Sequence, residues 1–351
     1  MKPRAMPDFR SDNVLAGSPE VLDAIARAAS GTMTSYGGDD ITARVRKLCS
    51  ELFHAEVDVF PVISGTAGNA LALAALTPPW GAVFCHEGSH IYGEELGATE
   101  FFSGGAKLIP IAGEQGKIHP DDLQRAIHAV RISKKSSVPA VVSLTNVTEA
   151  GTVYTAAEMQ ALCDIARQHG LRVHVDGARW ANAVVATGGL DTVLKSVDIL
   201  TLGATKNGTL TADLIVVFNR SRSEEVQLRT HRGGHRPSKM RFQAAQLEAY
   251  LSDGLWLRNA RHANAMAARL RDAISGNVEI VRPVDANIVF VRIPKEAYES
   301  LRRDGFLFGD WPIFGADVYR IVMGFATQAS DVDALAQAFH IPASNSPTSA
   351  K

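Results

Sequence analysis

VHVDGARW, residues 173–180, and ILTLGATKNG, residues 199–208, decide how this chain is read. Each begins as an apolar, β-branched run and ends on charged groups: Asp176 and Arg179 in the first, Lys206 in the second. Such runs, buried on both faces, are strands of a largely parallel sheet. One strand thus delivers an acid and another a lysine. A cofactor that needs both is pyridoxal 5'-phosphate, which takes a carboxylate beside its ring nitrogen and a lysine as Schiff-base partner. A lysine at the end of a buried strand is otherwise costly, because an ammonium needs compensation away from water. Alone, Asp176 could cap the DGAR turn, and Lys206 could be a loop lysine.

Outward from these strands the same alternation continues. Toward the N-terminus the pattern gives helices over 18–30 and 41–54, a turn at 34–40, a strand over 57–64 and a helix over 69–77. Ser18 and Pro19 open the first helix and Gly31 follows it. Strands follow at 82–87, 107–111, 140–146, 172–176, 198–205 and 214–219, with helices over 120–130 and 156–169 between them. After about residue 252 the pattern changes. A long helix, 253–275, precedes strands near 278–282, 287–293 and 317–323 and helices near 295–303 and 328–340. The expected fold class is α/β. An arm, 1–17, precedes a large domain, 18–252, with a helix-covered, mostly parallel sheet. A smaller α+β domain, 253–341, and a disordered polar tail, 342–351, complete the chain.

Composition narrows the function classes. The 351 residues carry 46% apolar and 21% charged side chains, enough for a buried core of ordinary size. A formal charge of -1, from 36 basic against 37 acidic residues, gives no bulk attraction to nucleic acid or anionic membrane. Cys49, Cys85 and Cys163 are odd in number and without CxxC spacing. They suit a reducing cytoplasm better than a disulfide scaffold, and no metal site is expected. No apolar run reaches transmembrane length and the first residues lack a signal-peptide core.

Further residues converge on the same chemistry. SGTAGN, 64–69, lies between a strand and a helix, where Gly65 and Thr66 would let backbone N–H groups meet a phosphate. A plain strand-to-helix turn is the competing reading. Arg179 could clamp a carboxylate or reach the cofactor's phenolic oxygen. Arg320, between apolar pairs in VYRIVM, faces either inward as a carboxylate receptor or outward to solvent. His90 could stack on a flat ring, act as a base or cap a helix, and Glu95 could share a proton or water with it. A dinucleotide site would need G-x-G-x-x-G, which SGTAGN does not supply.

In order along the chain stand FRSDN, SYGGDD, SGTAGN, SHIYGEELGA, VDGAR and LGATKNG. That series resembles the threonine aldolase and β-eliminating lyase family of fold-type-I pyridoxal phosphate enzymes, over roughly residues 8–340. The resemblance implies Lys206 as the Schiff-base lysine, Asp176 at the pyridinium nitrogen and His90 stacked on the ring. It implies Gly65 and Thr66 at the phosphate, helped by a basic residue such as Arg229. Ser11, Arg179 and Arg320 would hold the substrate carboxylate. Tyr36 and Glu95 would line the pocket, Tyr36 from a neighbouring subunit of a homodimer or homotetramer. The implied reaction cleaves the Cα–Cβ bond of a β-hydroxy-α-amino acid to glycine and an aldehyde, with His90 or a water held by Glu95 as base. β-Elimination, racemisation and transamination by the same fold are the near rivals, and a non-catalytic regulator the remote one. One departure concerns the substrate. Many members carry Asn-Thr-His-Asn before the DGAR strand, and gapless matching back from Gly-Thr-Val-Tyr puts Asn146 where the histidine would stand. In those members the histidine is the group at the substrate hydroxyl, and the resemblance puts Asn146 at that substrate position. The histidine's replacement leaves room for bulkier substrates, aryl ones such as phenylserine included.

Overall fold

The computed structural model describes residues 7–133 and 135–340, so the reading of 342–351 as a tail lies outside the described residues. Seven strands form the main sheet: β1 Asp58–Val62, β2 Gly81–His86, β3 Lys107–Ile111, β4 Val138–Thr145, β5 Arg172–Gly177, β6 Ile199–Leu202 and β7 Asp213–Val217. Their order across the sheet is β1-β7-β6-β5-β4-β2-β3. β2 to β6 pair in parallel, whereas β7 runs antiparallel to both β1 and β6. The connection explains the reversal. Ten residues, 203–212, separate β6 from β7. A parallel return needs a crossover of a dozen or more residues, usually through a helix. The loop that turns the chain round is the one that carries Lys206.

Both faces of the sheet are covered. One core packs the Pro19–Ala28, Asp40–Leu52, Ala156–Gln168 and Arg241–Leu251 helices against one face, around Phe84, Leu144, Val175, Leu200 and Tyr250. On the other face the Gly65–Leu76 helix packs with Val62, Leu73, Val83 and Ile215. This helix begins at Gly65, four residues before the expected start, so SGTAGN forms its cap and first turn rather than a preceding loop. The Ser64 hydroxyl accepts from Ala67 N and caps it. Helices Trp180–Thr187, Ser223–Arg232 and Arg241–Leu251 fill stretches with no assignment from the sequence.

The C-terminal unit holds a four-stranded antiparallel sheet, with β8 Glu279–Ile280, β9 Ile288–Arg292, β10 Gly309–Asp310 and β11 Val318–Val322 in the order β10-β11-β9-β8. Alternation divides its side chains. Val289, Val291, Tyr319 and Ile321 pack under the Leu255–Ile274 and Ala329–His340 helices, and Ile288, Phe290, Val318 and Val322 line the other face. The arm is seated on this unit: Phe9 N donates to the Leu307 carbonyl at 2.7 Å, Val322 N donates to the Phe9 carbonyl at 2.8 Å, and the Phe9 ring joins the small core. Among the described residues no helix is long and apolar enough to cross a membrane.

Candidate active site

Lys206 lies in a short 3-10 turn, Thr205–Asn207, that several elements clamp. Asp213 at the start of β7 accepts from the backbone N–H groups of Ala204 (2.7 Å) and Thr205 (2.9 Å). Asn207 donates to the Tyr250 hydroxyl (2.9 Å) and the Trp256 carbonyl (2.8 Å), and its own carbonyl accepts from Asn259. Gly208, at φ +132°, fits because a Cβ there would lie 2.3 Å from Ser18 Oγ. The turn is therefore held from several sides although it is irregular. Burial lowers the Lys206 pKa, and the charge of Arg179 lowers it further, against the pull of Asp12, Asp176 and Asp213. A depressed lysine pKa leaves more of the nucleophilic free amine.

Asp176 ends β5, 2% exposed. Its Oδ1 accepts from Ala178 N at 3.0 Å and its Oδ2 from Asn69 Nδ2 at 2.8 Å. The Asn69 amide also donates to Glu95 Oε1 at 2.9 Å, and the same oxygen lies 2.9 Å from His90 Nδ1. A continuous chain, Asp176–Asn69–Glu95–His90, thus joins β5, the Gly65–Leu76 helix and the His90–Gly93 turn. The hydrogen bond to Glu95 holds the His90 pKa above the ordinary imidazole value, against its partial burial. Burial and the Asp176 charge push Glu95 upward. The His90 side chain is 40% exposed, whereas that of Glu95 is 0% exposed. The ring is free to meet a ligand and the glutamate is not.

Gly65 and Thr66 lie in the first turn of the Gly65–Leu76 helix, where backbone N–H groups are free to meet an anion. The two glycines of SGTAGN do different things. A Cβ at Gly65 would have its nearest neighbour, Asp213 Oδ2, at 3.9 Å, so the backbone is open there. At Gly68 it would lie 2.5 Å from Thr201 Cγ2, so that glycine lets the helix approach β6. Within the single chain the Arg229 side chain is engaged by its own neighbours. Its Nε donates to Glu225 (2.7 Å) and its Nη1 to the Phe102 carbonyl (2.9 Å).

The two arginines expected at the substrate carboxylate stand near each other, among groups the sequence did not single out. Arg179 makes a bidentate pair with Asp12: Nε to Oδ2 at 2.7 Å and Nη2 to Oδ1 at 3.0 Å. Asn287, ahead of β9, donates to the same Asp12 carboxylate at 3.2 Å. Burial would raise the Asp12 pKa, but the charges of Arg179 and Lys206 hold it below the ordinary carboxylate value. Ser11, expected at the carboxylate, caps the Asp12–Val14 turn by accepting from Asn13 N at 3.2 Å. Arg320 lies over the Trp311 ring at 3.9 Å, and its buried Nε has no hydrogen-bond partner. Burial and the Arg179 charge push its pKa down to about 10, which leaves it protonated at neutral pH. Two neighbouring guanidinium groups, one with an orphaned donor, form a place for an anion.

Asn146 is a correction. It is fully buried, and its side chain donates to the Tyr154 carbonyl (3.0 Å) and accepts from Tyr154 N (3.1 Å). Its amide closes the loop after β4 and is not available to a substrate hydroxyl. Three residues on, Glu149 Oε1 accepts from His90 N at 2.8 Å. Tyr36 is half exposed in the single chain, and its backbone is hydrogen-bonded to Ser238 and Arg236. Asp12 and Asn69 stand inside FRSDN and SGTAGN without having been singled out there, and Glu149 and Asp213 lie outside the residues picked from the sequence, because the role of each shows only in what the fold sets beside it.

The site suits pyridoxal phosphate part by part. A lysine with lowered pKa, a buried carboxylate at a neighbouring strand end, a half-open imidazole and a helix N-terminus with an uncrowded glycine could each hold one part of it.

Comparison with known proteins gives the family and the fold. Residues 8–296 match the model of the β-eliminating lyase family. The chain is 38% identical over 334 residues to a low specificity L-threonine aldolase of Pseudomonas aeruginosa, covering 94% of this chain and 96% of that one. It is 36% identical over 333 residues to a low specificity L-threonine aldolase of another Pseudomonas, at 93% and 95% coverage. Among solved structures it superposes on the Leishmania major threonine aldolase with a TM-score of 0.90 at 26% identity, over 95% of this chain and 98% of that one.

Proposed function

This chain belongs to the β-eliminating lyase family, and from that premise we propose that it is a pyridoxal-phosphate-dependent aldolase. Its reaction is the reversible cleavage of the Cα–Cβ bond of L-β-hydroxy-α-amino acids to glycine and an aldehyde. The relatives' names support the reaction. The observation that carries it in this chain is the arginine pair. An orphaned Arg320 donor beside Arg179 calls for a carboxylate within the same cleft as Lys206 and Asp176.

Lys206 would carry the cofactor, Asp176 would hold its ring nitrogen, His90 would cover its face and the Gly65 and Thr66 N–H groups would take its phosphate. When bound, that group accepts the electron pair released at Cα. The protein's part is orientation. Arg179 and Arg320 fix the substrate carboxylate, so the Cα–Cβ bond can stand perpendicular to the ring plane. Asn69 ties Asp176 to Glu95 and thus keeps the His90 ring in register with the strand that holds the acid.

The active unit is at least a homodimer. Leu96, Phe101, Trp80 and Leu228 are exposed apolar side chains of a kind a single soluble chain seldom leaves uncovered together, and Tyr36 would enter a neighbour's pocket. Three buried cysteines, each with its thiol pushed up to about 12 by burial, fit a reducing cytoplasm.

The test is a panel of L-threonine, L-allo-threonine, D-threonine and L-phenylserine given to the cofactor-loaded protein. Glycine release from an L-substrate is expected. Pyruvate and ammonia in its place would make the protein an eliminating lyase, and no glycine from any member would end the aldolase reading. Lys206→Ala should lose the visible absorbance of the loaded protein and nearly all turnover.

A further inference from the structure

Cleavage requires a group that takes the proton from the substrate's β-hydroxyl, and the groups first expected there are poorly placed. The Glu95 side chain has no exposed surface. The His90 ring is already engaged through Nδ1 with Glu95 Oε1 at 2.9 Å.

Glu149 has what they lack. It sits on the loop after β4, at the C-terminal end of the parallel strands where Asp176 closes the neighbouring β5. Its Oε1 is fixed by the His90 backbone N–H at 2.8 Å. The residue as a whole is partly exposed, whereas Asn146, Val147, Thr148 and Ala150 around it in the loop are buried. We propose that Glu149 is the catalytic base that removes the β-hydroxyl proton, an assignment that rests on the aldolase reading. In the step, the O–H proton passes to the Glu149 carboxylate and the C–O bond becomes the aldehyde C=O. The Cα–Cβ bond breaks and its electron pair remains at Cα. One proton leaves oxygen and one arrives at Cα, so the products are glycine and aldehyde with no other reactant.

The surroundings tune the group for this. Asp176 from β5, His90 from the following turn, Cys85 from β2 and Tyr154 from the same loop face it. Burial keeps the Cys85 thiol and the Tyr154 phenol neutral. Burial, then the Asp176 charge, push Glu149 up to about 7, against the His90 and Glu149 N–H groups and the His90 charge. A base that titrates near the working pH is the effective kind.

A plainer role exists: Glu149 could serve only as acceptor for His90 N–H. Glu149→Gln separates the two, because the amide oxygen still accepts that bond but the side chain takes no proton. In the loaded full-length protein, cleavage of L-phenylserine or L-threonine should fall about 10²–10⁴-fold in kcat with KM little changed. Exchange of the glycine Cα proton with deuterated water needs no hydroxyl and should persist. Glu149→Asp should recover part of the loss. Wild type should lose kcat as pH falls below about 7, and an infrared band of a protonated carboxyl should titrate there and vanish in Glu149→Gln. Cleavage at the wild-type rate in Glu149→Gln, or equal loss of cleavage and exchange, would overturn the assignment. If Glu149→Gln does not fold, the decision passes to Glu149→Asp and to the infrared titration of wild type, where no carboxyl titrating near 7 is the overturning result. A wild type that exchanges glycine but cleaves nothing defeats the aldolase reading itself, which is a different outcome.

Discussion

Asp12 shows how much one side chain can decide. It is buried against Arg179, and both partners are almost free of solvent. Removing one member of such a pair leaves an uncompensated buried charge, at a cost of about 3–5 kcal/mol. Asp12→Ala should lower the denaturant midpoint accordingly and raise KM for the amino acid. The sign with pH follows from its depressed pKa. The pair's contribution is complete above the ordinary carboxylate value and is lost as pH falls through the lower folded value. His174 makes a second case. It is buried between Ser143 and Thr201, hydrogen-bonded to both hydroxyls, and burial pushes its pKa down to about 4. An imidazole depressed in the fold stabilises fully above its ordinary value of about 6.5 and loses that contribution as pH falls toward 4. Unfolding measured between those values should show a decline on the order of 3 kcal/mol from this group, absent in His174→Gln. Neither residue was legible beforehand. An aspartate in an N-terminal arm and a histidine inside an apolar strand carry no signal until Arg179 and the two hydroxyls are placed beside them. Lys206 and Asp176 were legible because charge at the end of a β-branched run is uncommon.

At the scale of the element, the Gly65–Leu76 helix carries two glycines with separable duties. Gly68→Ala forces a methyl into Thr201 and should cost about 1–3 kcal/mol while pushing the helix off β6. Gly65→Ala meets nothing closer than 3.9 Å, so its melting temperature should hold while its affinity for pyridoxal phosphate falls. Melting curves alongside cofactor titrations distinguish them, and equal effects on both quantities would contradict the division. The early start of this helix was hidden because Gly-Thr-Ala-Gly reads as a turn. Its Ser64 cap and its packing on β6 override that weak local preference. The reversed β7 left a trace in the sequence, since ten residues are too few for a crossover, but apolar runs alone do not report strand direction.

The whole molecule is held together across its two units by the arm. Phe9 lies in the small core while Asp12, three residues on, grips Arg179 on the large unit. Phe9→Ala should lower stability by about 3–5 kcal/mol and weaken amino acid binding together, seen in thermal melts and in KM. Leu96→Glu with Phe101→Glu should shift sedimentation toward the single chain and reduce turnover, if Tyr36 completes a neighbour's pocket. The alternation of strands and helices made the α/β class readable, whereas the seating of the arm depends on backbone pairing with Leu307 and Val322 that no local pattern announces.

The place of β1 at the sheet's edge has a consequence for biosynthesis. Its sheet neighbour is β7, and about 150 residues separate Val62 from Asp213. At roughly 5–20 residues per second, a ribosome takes about 8–30 s to make that stretch. For that interval a nascent chain holds an apolar strand with no neighbour to pair with. Holding chaperones should therefore engage ribosome-bound chains that end before residue 213 and release those that extend well beyond 217.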